Sequence, residues 1–302
     1  MNIGMIGLGK MGMNMAQRLM NGGHEIIATD IDREVVQKWI SQGGKAAYSV
    51  SELLEDLPSP RTVWVMVPSG AITDTVIKQL STRLSPGDTV IDGGNSNYKD
   101  SIHNAEVLKE RDIHFMDVGT SGGIWGLKEG YSLMIGGEKD VVERHRSLFE
   151  TLAPAADRGW GHVGPVGAGH FVKMIHNGIE YGMMQAYAEG FDILHARKDM
   201  QLDLAQVAEI WRYGSVVRSW LLDLSAAALK EDQEFSDIAP WVPDSGEGRW
   251  TVFEAIDLDV PAPVITTALQ QRLSSRDAYG YAHRLLSALR NQFGGHAMKK
   301  ES

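Results

Sequence analysis

Four side chains of different chemical type crowd into "HFVKMIHNGIEYG", residues 170–182: the amine of Lys173, the imidazole of His176, the carboxamide of Asn177 and the carboxylate of Glu180. On a helix advancing about 100° per residue these positions follow an i, i+3, i+4, i+7 pattern and share one face, with Tyr181 at its edge. At about 1.5 Å rise per residue, Lys173 and Glu180 stand roughly 10 Å apart along the axis. Such a face can grip opposite ends of a molecule a few carbons long. A solvated stripe on an amphipathic helix gives the same pattern. Against that reading, the stripe holds one residue of each type rather than repeated Glu–Lys pairs. Gly167, Gly169, Gly178 and Gly182 also bracket it and permit close backbone approach.

A second set lies near the N-terminus. "GLGKMG" places Gly7, Gly9 and Gly12 in G-x-G-x-x-G spacing, after an apolar run and at the start of a helical pattern. Glycines there allow a tight turn and let helix-start N–H groups approach a pyrophosphate. Lys10 and Met11 lie inside the turn, and Val67 and Pro68 end the run "TVWVMVP"; all four are expected to line the cofactor. Asp30 follows about 20 residues after the turn, where a carboxylate accepts hydrogen bonds from an adenosine ribose and repels a 2′-phosphate. Ile31 stands where an arginine would favour NADP, although Arg33 is close by. NAD is therefore the expected cofactor, with NADP as the weaker alternative. Asp30 as the N-cap of the next helix is the competing reading.

The elements that must position these groups are legible as alternation. "NIGMIG", "EIIATD", "TVWVMVP", "DTVIDGG", "IHFMDVGTSGG" and "YSLMIGG" read as strands. Helices are expected between them near 10–21, 33–41, 71–84, 100–111 and 141–152. This pattern predicts a Rossmann-type, doubly wound, mostly parallel sheet over residues 1–165. From His170 onward the periods are helical, which predicts an all-α domain over 166–302.

Composition narrows the function classes. A net charge of −10 and a pI near 5.5 argue against general binding to nucleic acid or to an anionic membrane. The chain has no cysteine, so disulfides and thiolate chemistry are excluded. The ten histidines show no metal-ligand spacing, and no metal is expected. The chain opens directly on a strand and a glycine turn and has no apolar run of membrane-spanning length, so a cytoplasmic location is expected.

Longer stretches carry a family resemblance. "HFVKMIHNGIEYGMMQ", "VIDGGNSNYKDS", "TSGG…GYSLMIGG", "WRYGSVVRS" and "LRNQFGGH" closely resemble 6-phosphogluconate dehydrogenase, the decarboxylating enzyme, in the same order along nearly the whole chain. The match is to the short form, which lacks much of the second helical half of the long form. The resemblance implies oxidation of 6-phosphogluconate at C3, loss of C1 as CO2 and formation of ribulose 5-phosphate, the chemistry of the pentose phosphate pathway and of gluconate use.

The resemblance also implies roles, residue by residue. Lys173 matches the base, Glu180 the acid that protonates C1, and Asn177 and His176 the groups that orient the reacting hydroxyl and carbonyl. Asn95 matches a residue between substrate and nicotinamide, and Ser121, Gly122 and Gly123 match the loop that holds the substrate carboxylate. Tyr181 and Arg272 match phosphate contacts, and Arg290 and His296 match contacts on the C-terminal tail. Arg290 as a dipole-favoured cation near a helix C-terminus remains the plainer alternative. A homodimer or a dimer-based tetramer is expected.

The sequence departs from the family pattern twice. "SGGIWG" lacks the acidic pair of the long forms, and "PDSGEGRW" lacks their phosphate-binding lysine. Two rival functions stay open here: a β-hydroxyacid dehydrogenase of the 3-hydroxyisobutyrate type that does not decarboxylate, and a non-catalytic nucleotide-binding regulator.

Overall fold

"NIGMI" is apolar on both sides of its pleat, as a strand covered on both faces requires. It forms β1 (Asn2–Ile6), with its last four residues buried. The computed structural model describes residues 1–294 and 297–299. After β1 come α1 (Lys10–Asn21), β2 (Glu25–Thr29), α2 (Arg33–Ser41), β3 (Lys45–Ala46), α3 (Val50–Glu55), β4 (Thr62–Val65), α4 (Ala71–Ser81), β5 (Thr89–Asp92) and α5 (Tyr98–Lys109). Then follow β6 (His114–Ser121), α6 (Gly126–Glu129), β7 (Ser132–Gly137), α7 (Lys139–Arg144), α8 (Arg146–Leu152) and β8 (Trp160–Gly164). The sheet order is β3-β2-β1-β4-β5-β6-β7-β8. Among the strands of the described residues, only β6 and β7 pair antiparallel. The order reverses between β1 and β4, and ligands of such sheets bind in the crevice at that reversal.

Helices cover both faces. On one, Ile3, Met5, Leu19, Trp39, Trp64 and Phe149 are buried together; on the other, Ile6, Ile27, Leu53, Ile77, Val90 and Phe115. Burying a side chain of this size contributes about 1.5–3 kcal/mol. The rings of Trp64 and Phe149 meet edge-on at 6.2 Å, and Phe149 stacks on Trp160 at 5.9 Å.

The alternation of the sequence predicts this architecture, but not every element of it. β3 has two residues and α3 six, too few for a period to register. β8 carries two glycines and is only half-covered. The expected helix over 141–152 is two helices that meet at His145. The buried His145 donates through Nδ1 to Val141 O at 2.8 Å, and its Nε2 lies 3.0 Å from Thr62 Oγ1 on β4. Burial lowers its pKa. A side chain that ties one helix to a strand has replaced regular helix at that point.

The rest is helical: α9 (Ala168–Ala196), α10 (Leu204–Arg212), α11 (Trp220–Glu231), α12 (Glu247–Asp257), α13 (Pro263–Ser274) and α14 (Tyr281–Gly294). None of the described helices is long and apolar enough to cross a membrane. The chain divides into two compact units, Met1–Asn177 and Gly178–Ser302. The change from strands to helices comes earlier, after β8. In the helical unit, Leu204, Ala208, Leu222, Ala226 and Leu229 form a small core.

Candidate active site

The glycine turn lies where the sheet order reverses. Gly7 has φ +97°, and a Cβ there would sit 2.4 Å from Met66 O, so the end of β1 packs directly on the chain leaving β4. A Cβ at Gly12 would sit 2.1 Å from Gly7 O, which is how α1 approaches the strand closely. Gly9 differs: a Cβ there would meet nothing within 4 Å. Protein packing does not demand a glycine at that position, whereas a ligand lying on the backbone does. The first backbone bond of α1 runs from Met13 N–H to Gly9 O, which leaves the amides of Lys10, Met11 and Gly12 without a carbonyl partner inside the helix. The Met11 side chain packs on the core beneath.

Asp30 ends β2, and Asp32, not Asp30, caps α2. One Asp30 oxygen accepts from Leu8 N–H at 2.6 Å and the other from Asp32 N–H at 2.9 Å. The carboxylate thus fastens the glycine turn, a duty its position in the sequence did not reveal. Ile31 is fully exposed, and Arg33 lies over the Tyr48 ring at 5.9 Å. At the end of β4, Val67 packs on the core and Pro68 O accepts from Thr73 Oγ1 at 2.9 Å.

Asn95 follows β5 in the left-handed region, with φ +53°. Its amide makes a two-bond bridge to Thr120: Nδ2 donates to Thr120 O at 3.2 Å, and Oδ1 accepts from Thr120 N–H at 2.9 Å. Much of its hydrogen-bonding capacity therefore goes into holding the end of β6, where Ser121 leads into Gly122 (φ +132°) and Gly123 (φ +52°). Beneath that loop lies the Tyr131 ring, 1.9 Å from where a Cβ at Gly126 would sit. Burial raises the Tyr131 hydroxyl pKa to about 12.

α9 carries the polar stripe on one continuous helix. The Lys173 side chain is buried, and its Nζ donates to Asn177 Oδ1 at 2.7 Å. His176 Nδ1 lies 3.0 Å from the same oxygen, a contact that requires the proton on Nδ1. Asn177 therefore gathers the amine and the imidazole on one acceptor. A Cβ at Gly119 of β6 would sit 2.4 Å from Lys173 Cβ, so the strand that leads to Ser121 passes directly against Lys173.

In the helical unit, Glu180 is partly exposed and Tyr181 is buried. The Arg272 guanidinium, on α13, lies 3.5 Å from the Tyr181 ring centroid, a close cation–π contact. Its hydrogen bonds go to neutral acceptors, Pro243 O at 3.0 Å and Met184 Sδ at 3.6 Å. Gly248 of α12 admits the Tyr181 ring, and Tyr181 Oη lies 3.4 Å from Ser245 Oγ. Asp244 holds that segment by accepting from Gly246 N–H and pairing with Arg249 at 2.8 Å. The structure thus brings Tyr181 and Arg272 together and adds Ser245 beside them, which the sequence reading missed. Arg290 is exposed on α14. His296 lies outside the described residues.

A family model for the NAD binding domain of 6-phosphogluconate dehydrogenase matches residues 2–163. The C-terminal domain model of the same enzyme matches residues 169–284. The chain is 41% identical to Bacillus subtilis YqeC over 100% of both chains. It is 39% identical to the NAD(+)-dependent, decarboxylating 6-phosphogluconate dehydrogenase of Haloferax volcanii, covering 100% of this chain and 99% of that protein. Among solved structures, the Plasmodium falciparum 6-phosphogluconate dehydrogenase, studied with its cofactor NADP+ and with its substrate, superposes with a TM-score of 0.85 at 28% identity. All of this chain is covered in that superposition, but it spans only 66% of the Plasmodium chain.

Proposed function

This chain belongs to the 6-phosphogluconate dehydrogenase family, and from that premise we propose that it oxidises 6-phospho-D-gluconate with NAD and releases D-ribulose 5-phosphate and CO2. The observation that carries the reading is the buried Lys173 amine, held 2.7 Å from Asn177 Oδ1, with Glu180 two turns further along the same helix. Residues 1–165 bind the nucleotide; residues 166–302 serve substrate binding and dimerisation.

The residues around the glycine turn suit NAD: open space above Gly9, amides at the start of α1, and a carboxylate at Asp30. NAD, when bound, would supply the hydride acceptor for oxidation at C3. Lys173 takes the C3 hydroxyl proton and, once protonated, polarises the new ketone. Asn177 and His176 orient the reacting hydroxyl and carbonyl. The β-keto acid then loses CO2, its electrons flow into an enediol, and Glu180 protonates C1. Backbone donors around Ser121, Gly122 and Gly123 receive the substrate carboxylate. Arg272, whose hydrogen bonds among the described residues go to Pro243 O and Met184 Sδ, serves the phosphate together with Tyr181. Nothing in this scheme calls for a metal ion or nucleic acid, and the reaction suits a cytoplasmic enzyme. The deciding assay supplies 6-phosphogluconate and NAD and reads reduced cofactor and CO2 together. Oxidation without CO2 would transfer the chain to the β-hydroxyacid dehydrogenases; neither product would leave a nucleotide-binding regulator.

Cofactor choice follows from Asp30 and the cation-free Ile31. Asp30→Ala with Ile31→Arg is expected to move the kcat/KM ratio toward NADP by on the order of 1–3 kcal/mol, the worth of a hydrogen bond to a charged group. Ile31→Arg alone keeps the Leu8 bond to Asp30 and should show part of the shift. A wild-type enzyme indifferent to the two cofactors would refute the NAD assignment.

A dimer is part of the same reading. α14 leaves Leu285, Leu286 and Leu289 exposed on one side, an apolar stripe that association would cover. With Arg290 on the same helix, its tail completes the phosphate site of a second subunit. Arg290→Ala should then raise KM for 6-phosphogluconate roughly 10- to 150-fold, the equivalent of about 1.5–3 kcal/mol. Mixing Lys173→Met with Arg290→Ala under subunit exchange should restore activity, because one site of each mixed dimer then carries neither lesion. Exchange without recovery would place the tail in its own subunit's site.

A further inference from the structure

Four residues before Ser121, β6 carries a carboxylate among apolar neighbours. Asp117 is fully buried, and its two oxygens accept from Gly167 N–H at 2.7 Å and His170 N–H at 2.8 Å. These are amides at the start of α9, where donors have no carbonyl partner and the helix dipole is positive. A strand residue some fifty positions away thus does what a local N-cap does elsewhere.

Glycines make the approach possible. A Cβ at Gly136, the partner of Asp117 across β7, would sit 2.4 Å from Asp117 Oδ1. One at Gly169 would sit 2.3 Å from Asp117 O. Asp117 and Gly119 face the same side of β6, because strand side chains alternate. The strand therefore meets α9 at two successive positions, at its N-terminal amides and at Lys173 Cβ. A lateral tie adds to this, with His170 Nδ1 2.7 Å from Ser101 Oγ on α5.

We propose that Asp117 is a positioning residue for the reaction: it sets the rotation and axial position of α9 on β6, and thereby the place of Lys173 relative to Asn95 and the Ser121-Gly122-Gly123 loop. The proposal rests on the reading of Lys173 as the C3 base. One residue of slip in a helix is about 1.5 Å and 100° of rotation. A misplacement of about 1 Å costs on the order of 10²-fold in rate.

The test uses Asp117→Asn, which keeps the shape and one acceptor oxygen but sets an NH2 group against one backbone N–H. Asp117→Ala, which removes both acceptors, is the harsher variant, and the Asn variant decides if the Ala variant does not fold. The readouts are kcat, KM for 6-phosphogluconate, NAD affinity, Tm and the isotope effect with substrate deuterated at C3. In Asp117→Asn, kcat should fall by about 10- to 100-fold with NAD affinity unchanged. The deuterium effect should rise, because hydride transfer becomes limiting when Lys173 is misplaced. Wild-type kcat and isotope effect in the variant would overturn the proposal. So would kcat, NAD affinity and Tm falling together, since that pattern marks a structural role only. A wild-type protein that does not turn over 6-phosphogluconate would sink the functional reading first, and this proposal with it.

Discussion

Lys173→Met is expected to abolish both reduced cofactor and CO2, by at least the ~10²–10⁴-fold that a positioned proton-transfer group contributes. The loss should reach that limit because the proposed chemistry uses the amine twice, as base for the C3 hydroxyl and as the cation that polarises the ketone. The substitution is clean in structural terms. Methionine is apolar and of similar length, and the side chain it replaces is buried, so little cavity results. Asn177 Oδ1 loses one donor and keeps the contact from His176. The glycine turn lies on other elements, so NAD should bind as in wild type. Titration of NAD into Lys173→Met, beside the turnover assay, checks both halves. Near-normal turnover in this variant would remove Lys173 from the mechanism.

Glu180→Gln is expected to slow ribulose 5-phosphate formation by roughly 10²–10⁴-fold, the range for loss of a general acid. Glutamine keeps the size of the side chain, and Glu180 is partly exposed, so folding should be unaffected. The two steps should also separate. Hydride transfer precedes protonation of C1, so a first-turnover burst of reduced cofactor should survive while the sugar product appears slowly. Rapid-mixing absorbance with product assay reads both. A Glu180→Gln enzyme that makes ribulose 5-phosphate at close to the wild-type rate would refute the role, and a missing burst would move Glu180 to the oxidation step.

Much of the frame that carries these residues is a local property of the chain, and local properties are legible. Apolar periodicity and glycine punctuation place α1 and α2 at the bounds the structure has, and they predict a switch from strands to helices after "GWGHVGPVGAG", a stretch that holds β8 and the start of α9. The 3.6-residue period puts Lys173, His176, Asn177 and Glu180 on one face of what is a single helix. G-x-G-x-x-G spacing marks a turn whose sterics are local at Gly12, since a Cβ there would strike Gly7 O, whereas the demand at Gly7 comes from Met66 O beyond β4.

Tertiary structure decided what depends on partners far apart in the chain. No period announces a two-residue β3, or a buried His145 that breaks a helix in order to reach Thr62 on β4. Asp30 sits where the spacing puts it, yet its bond to Leu8 N–H exists only once β1 and β2 lie side by side. Asn95 has the turn residue's freedom to adopt positive φ, but its bridge to Thr120 requires β5 next to β6. Arg272 and Tyr181, on different helices, become a stacked pair because Gly248 lets α12 in against the tyrosine ring. Asp117 is the sharpest case. In the sequence it is one carboxylate in an apolar strand, a placement that desolvation makes costly unless donors are waiting. Those donors are the unpaired amides at the start of α9, and only the folded chain brings the two together.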